Sequence, residues 1–246
     1  MCFRWRFGMA DLDVMAFGAH PDDIEIGCGG TLIKLADMGY SVVLVDMSWG
    51  ELGTRGSVET RMAEAASAAK IIGAIARENL ALEDGNIHTT KEAKRRVVEI
   101  VRKYRPRLVF LPYHEDRHPD HYNTSQLAYE GLFLSGLEQY ETGQESYRPL
   151  RVVYYQGRYP FEPTFTVDIT AQFERKMQAI YAFSTQFQPN DTFYREAGLT
   201  YQDPTWAFTH RAAHYGALIG KKYGEVFLVR GRLQVEDPMQ LKFSSF

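Results

Sequence analysis

The chain carries the run Val14-Met15-Ala16-Phe17-Gly18, followed at once by Ala19-His20-Pro21-Asp22-Asp23. A short unbroken apolar run reads as a strand buried on both faces, the kind that parallel sheets contain. Polar residues at its carboxyl end then stand where open α/β sheets bind their ligands. A second segment of the same kind lies a hundred residues on. Leu108-Val109-Phe110-Leu111 is apolar and leads into a polar loop, 112–121, that ends in His118-Pro119-Asp120-His121. Two clusters of imidazole and carboxylate at two strand ends can meet on one edge of a sheet.

The rest of the chain alternates in the same manner. The Gly27-Cys28-Gly29-Gly30 stretch predicts a turn opening a helix over 31–38, closed by Gly39. Residues 41–47 read as a second buried strand, and a glycine-rich loop, 49–56, follows. Ser57 is placed to cap a helix over Val58–Ile72 that Gly73 ends. A short strand is expected at 79–82, and an amphipathic charged helix over Lys91–Tyr104 that Pro106 breaks. After the second polar cluster a helix is expected over 122–135. Strands at 152–156 and 164–169 follow, with helices at 171–183 and 206–220. The stretch 186–205 is polar, aromatic and irregular, and reads as a substrate-facing loop. This alternation predicts the α/β class, a Rossmann-like three-layer fold around a mostly parallel central sheet.

Length and composition bound the function. The chain has 246 residues, 45% hydrophobic and 24% charged, which suits one globular domain over 9–246 with a flexible extension at 1–8. Met9 is an alternative start. The net charge of −3 and a pI near 6.2 argue against a nucleic-acid partner. Only Cys2 and Cys28 occur, so no disulfide framework is expected and the cytoplasm is the default compartment. The first residues lack the apolar core of a signal peptide, and no run approaches the ~18 apolar residues of a membrane helix.

The polar clusters carry the chemistry. A zinc ion in a hydrolase takes three protein ligands and keeps a position for water. His20, Asp23 and His121 fill that set, with one anionic ligand that leaves the ion near +1 and able to acidify a bound water. Asp22, beside Asp23 in a tight turn, points elsewhere and is the candidate general base. His118 is the candidate imidazolium facing a developing oxyanion, with Asp120 close by to orient it. The same ligand set accepts Fe²⁺. Each cluster also has a plainer reading: Asp22 or Asp23 as a helix cap, His118 and His121 as ordinary loop residues. Their joint occurrence at two strand ends favours the metal. Arg55, Arg61 and Arg117 are candidate substrate-binding cations, against the solvated role usual for an arginine. His88 reads as a surface residue, His114 as structural, and His210 and His214 as a packing pair on the last helix. The Gly27–Gly30 stretch lacks the spacing of a phosphate-binding loop, and Cys28 reads as a small buried residue.

With these residues in hand, the chain resembles the LmbE-like, or PIG-L, zinc-dependent N-acetylglucosamine deacetylases. The matching pieces are 16–23 with Glu25-Ile26-Gly27, the 50–56 loop with Val58-Glu59-Thr60-Arg61 and Glu64, and Asp116-Arg117-His118-Pro119-Asp120-His121. The ending, 215–220 with Tyr223-Gly224-Glu225-Val226-Phe227, looks like the branch that makes bacillithiol. The resemblance implies one zinc per subunit on His20, Asp23 and His121, Asp22 as base, and His118 aiding the oxyanion or leaving group. It places Arg61 along the substrate pocket and implies N-acetylglucosaminyl-L-malate as substrate. Simple N-acetylglucosamine, chitooligosaccharides and mycothiol-type conjugates are the alternatives. A trimer or hexamer is implied as well. Some relatives use a mobile tyrosine in the late loop; Tyr194 and Tyr201 lie nearby, while Pro204 occupies the matching position.

Overall fold

The computed structural model describes residues 12–187 and 206–242. Within them the chain runs β1 (Val14–Gly18), α1 (Asp23–Asp37), β2 (Val42–Ser48), α2 (Val58–Ile72), β3 (Ala76–Leu82), α3 (Lys91–Tyr104) and β4 (Leu108–Pro112). It continues as α4 (Pro119–Ser135), β5 (Arg151–Tyr155), β6 (Phe165–Asp168), α5 (Phe173–Tyr181), α6 (Trp206–Ala217) and β7 (Gly224–Leu228). The strands form one sheet in the order β3-β2-β1-β4-β5-β7-β6. The pairs from β3 to β5 are parallel, and β7 runs antiparallel between β5 and β6.

Side chains alternate across the sheet and define three layers. Met15, Phe17, Val43, Val45 and Tyr154 pack with Val97 and Val101 of α3 and Leu127 of α4. Val14, Ala16, Leu44 and Tyr155 pack on the other face with Ile24 and Leu32 of α1, Ile72 of α2 and Ala179 of α5. Every residue of β1 and β2 is buried, as continuous apolar runs require. The caps of α2 are those the sequence predicts: Ser57 accepts from the Thr60 amide and Gly73 sits at φ 86°. The α3 helix closes just before Pro106, on Arg105 in the left-handed region.

Several elements differ from the sequence expectation: β3 begins three residues earlier, at Ala76, α6 ends three residues earlier, at Ala217, and three further differences bear on the core and the site. The first helix begins at Asp23, so Gly27, Cys28, Gly29 and Gly30 lie inside α1 and not in a turn before it. Glycine propensity argues against a helix there by about 1 kcal/mol per residue, but close packing decides the matter. A Cβ on Gly27 would sit 2.2 Å from the ring of Tyr155, a fully buried residue whose hydroxyl donates to the Phe17 carbonyl. Gly27→Ala, favourable in an ordinary helix, is therefore expected to destabilise by about 1–3 kcal/mol, as overpacked cores do. Thermal melting should show it as a fall of about 2–4 °C per kcal/mol. The α4 helix starts at Pro119, three residues earlier than expected, because proline is tolerated in a first turn and His118 supplies the cap. Strand β7 went unread: it opens on Gly224 and holds the buried Glu225 near its start.

The 1–8 extension lies outside the described residues, as does the late loop beyond Phe187 with Tyr194, Tyr201 and Pro204. Among the described residues no helix is long and apolar enough to cross a membrane.

Candidate metal centre

The strand order reverses between β1 and β4, which opens a crevice at their carboxyl ends. The β1–α1 turn brings His20, Asp22 and Asp23 to that crevice, and the β4–α4 junction brings His118, Asp120 and His121. Two imidazoles converge on one carboxylate. His20 Nδ1 lies 3.5 Å from Asp23 Oδ2, and His121 Nε2 lies 3.2 Å from Asp23 Oδ1. The donor atoms of these three residues all fall within 4.8 Å of one another.

The outer nitrogen of each imidazole is held by carboxylates. His20 Nε2 is 2.9 Å from Asp84 Oδ1 and 3.2 Å from Asp120 Oδ2, and His121 Nδ1 is 3.1 Å from Asp116 Oδ1. Such a carboxylate fixes the tautomer of a ligating histidine and aims its other nitrogen inward. The carboxylates are anchored in turn by backbone amides. Leu52 donates to Asp84 at 2.8 Å, Gly85 and Ile87 to Asp120 at 2.7 and 3.3 Å, and His118 and Arg158 to Asp116 at 3.0 and 2.5 Å. Two imidazole nitrogens and one carboxylate, each with its orientation set, suit a zinc-type divalent cation.

Electrostatics follow from this crowding. Burial disfavours charge on His20, but Asp120, Asp23 and Asp84 outweigh it and push the imidazole up to about 12. Burial acts likewise on His121, and Asp23 with Asp116 carries it up to about 10. Burial would raise Asp116, yet His121 and the two amides bring it down to about 2. In the metal-free protein both imidazoles hold protons where a cation would otherwise sit, and metal uptake must displace them. Asp116→Asn should weaken metal affinity by about 10–100-fold, the usual cost of losing such a partner. A competition titration against a chelator would measure it.

Asp22 stands apart from the three. It occupies the N-cap position of α1 without making a cap hydrogen bond, on a backbone at φ 132° that non-glycine residues rarely adopt. Its Oδ2 accepts from Arg61 Nη2 at 3.1 Å. Burial, with the charge of Asp23, holds its proton up to about 7, against the pull of Arg61. A buried, unligated carboxylic group that titrates near neutrality is suited to general-base work.

His118 caps α4, with Nδ1 accepting from the Asp120 amide at 3.2 Å. That bond assigns the proton of the neutral ring to Nε2. Burial and the charges of His121 and His20 lower its pKa, so its surroundings favour a neutral N–H donor over the expected imidazolium. The Asp120 carboxylate hydrogen-bonds His20 and lies within 4.8 Å of a His118 ring nitrogen, while the hydrogen bond to His118 comes from the Asp120 amide. Arg61 is buried, and gives Nη2 to the Pro21 carbonyl at 2.9 Å and Nη1 to the Gly50 carbonyl at 3.4 Å besides its bond to Asp22. It clamps the turn that carries Asp22. Arg55 stands in the β2–α2 loop, and Arg117 is exposed in the β4–α4 loop. His88, His210 and His214 are exposed and outside the cluster, and the His114 ring lies tilted at 56° against Tyr113.

Sequence reasoning gave no role to Asp84 or to Asp116. Asp84 follows β3 at the same carboxyl edge, and the strand-end rule applied there would have nominated it. Asp116 lies two residues before His118, within the segment already singled out.

The same fold is found in known proteins. The family profile described as GlcNAc-PI de-N-acetylase (PIG-L) matches residues 15–132. A diacetylchitobiose deacetylase of Thermococcus kodakarensis is 30% identical over 231 residues, covering 86% of this chain and 80% of that protein. The structure of the conserved protein TT1542 from Thermus thermophilus superposes with a TM-score of 0.81 at 34% identity, over 92% of this chain and 98% of that one. An N,N'-diacetylchitobiose deacetylase from Pyrococcus horikoshii superposes with a TM-score of 0.76 at 31% identity, over 88% of this chain and 82% of that one. Fold and site thus define a hydrolytic enzyme of the N-deacetylase class. The chain belongs to the PIG-L family.

Proposed function

We propose that the chain removes the N-acetyl group from a small molecule containing N-acetylglucosamine, using one zinc ion held by His20, Asp23 and His121. The observation that carries the reading is the convergence of His20 Nδ1 and His121 Nε2 on Asp23, with the unligated Asp22 beside it. Fe²⁺ suits the same donors. A bound ion would polarise the acetamide carbonyl and acidify a neighbouring water. Asp22 takes the proton from that water as it attacks. His118 offers its Nε2 hydrogen to the oxyanion that develops. The proton on Asp22 then passes to the departing amine, which completes hydrolysis to acetate and the free amino sugar. Arg61 keeps Asp22 in place and lowers the cost of its charge. Asp84, Asp120 and Asp116 hold the two ligating imidazoles in the required tautomer.

The finer substrate is N-acetylglucosaminyl-L-malate, in bacillithiol synthesis. The 50–56 loop and the ending at 215–227 support it. Because Arg61 is engaged with Pro21, Gly50 and Asp22, the exposed Arg117 is the better candidate for gripping the malate carboxylates. A chitooligosaccharide is the second reading, favoured by the relatives at 30% and 31% identity. Acetate release from the malate conjugate, plain N-acetylglucosamine and diacetylchitobiose, with metal-loaded and chelated protein, separates the two. Metal-dependent preference for the malate conjugate supports the finer reading. Preference for diacetylchitobiose transfers it to the second, and no release from any of the three sinks both.

A further inference from the structure

Beyond the site, one guanidinium ties the first turn of α1 to the segment after β5 whose amide holds Asp116. Arg211 of α6 donates Nη2 to the Ile26 carbonyl at 2.9 Å and Nη1 to the Gly157 carbonyl at 2.6 Å. Ile26 lies in the first turn of α1, three residues after Asp23. The Gly157 carbonyl belongs to the same peptide group as the Arg158 amide, which donates to Asp116 Oδ2 at 2.5 Å. A trans peptide points its carbonyl and its N–H in opposite directions, so one rigid plane spans the two contacts. The turn is pressed against the carboxylate, since a Cβ on Gly157 would lie 2.4 Å from Asp116 Oδ2. Asp116 in turn holds His121 Nδ1 at 3.1 Å.

We propose that Arg211 is a positioning residue for the metal centre, acting on His121 through the 157–158 peptide and Asp116. The inference rests on the ligand reading given above. The cationic guanidinium polarises the peptide group, and the polarised N–H makes a stronger bond to the Asp116 carboxylate. Asp116, held in place, fixes the tautomer and direction of His121. The Ile26 carbonyl also receives Lys176 Nζ at 3.0 Å, so it keeps a donor when Arg211 is replaced. The consequence therefore falls on the Gly157 side of the site. Lysine cannot reproduce the contact, because a single ammonium lacks the planar fork that reaches two carbonyls at once.

The test is the zinc dissociation constant of purified protein, measured by chelator competition for Arg211→Met, Arg211→Lys, Asp116→Asn and the double variant Arg211→Met/Asp116→Asn. Arg211→Met is expected to weaken zinc by about 10–100-fold, as loss of an orienting partner does, with an unchanged circular dichroism spectrum. Arg211→Lys, the milder change, should move affinity in the same direction and serves if the methionine variant fails to fold. Because the two residues act in series, adding Arg211→Met to Asp116→Asn should cost less than about twofold more. Zinc affinity equal to the native value, with only the melting temperature lowered, would overturn the proposal. So would full additivity in the double variant. A native protein that takes up no zinc, or a His121→Ala variant that binds it as tightly as native, would instead bring down the ligand assignment and this inference with it.

Discussion

Asp22→Asn is expected to lower turnover by about two to four orders of magnitude, the usual range for loss of a general base, with metal content at the native level. Asparagine keeps the size of the side chain and an oxygen that accepts from Arg61. It cannot take a proton from water. The native pH profile should carry the same signature. Burial and the Asp23 charge hold the Asp22 proton up to about 7, so the ionised, active form grows as pH rises toward that value. A cation bound at Asp23 moves this limb to lower pH. The kcat/KM profile of the metal-loaded protein should thus carry an acid limb at a pH lower than about 7, and the residual rate of Asp22→Asn should lack that limb. Near-native turnover in the variant, or an unchanged acid limb, would remove Asp22 from the role.

The second large effect is expected at His121. His121→Ala removes one of the three proposed ligands and leaves the Asp116 carboxylate without the imidazole that faces it. Metal affinity should fall by more than the ~10–100-fold that loss of an orienting partner costs. Activity should fall with it and return only in part at high metal concentration. Metal analysis after dialysis reads the first outcome, and a zinc titration of activity reads the second. A variant that keeps a full equivalent of zinc takes His121 out of the ligand set.

Much of this site was legible because strand ends are legible. The runs at Val14 and Leu108 are apolar without interruption, and each leads on to its polar cluster, so the sheet edge and its candidate ligands were legible together. The caps of α2 were equally plain, since Ser57 and Gly73 act through local backbone chemistry. The start of α1 was not. Its glycines signal a turn by propensity, and the packing that places them inside a helix, Gly27 on Tyr155 and Gly30 on Ile169, comes from far along the chain. Asp84 and Asp116 were missed for a related reason. A carboxylate that orients a ligand looks like any acidic loop residue until its imidazole is in place. The role of Arg61 was likewise set by long-range contact: the sequence offers an arginine near a pocket, and packing directs it to Pro21 and Gly50.

The backbone of Asp22 holds one more lesson, about durability. Its φ of 132° and its place beside Asp23 both work against the folded state. A carboxyl group whose pKa rises on folding, from 3.8 to about 7, costs nothing below the unfolded value and most once pH exceeds the folded one. Metal-free Asp22→Asn should therefore melt at a higher temperature than metal-free native protein. The gap should be absent below the unfolded value of 3.8, open as pH climbs, and level off above about 7. The protein tolerates a weak point in its own fold at the residue proposed as its base, so the substitution expected to raise heat resistance is also the one expected to cost turnover.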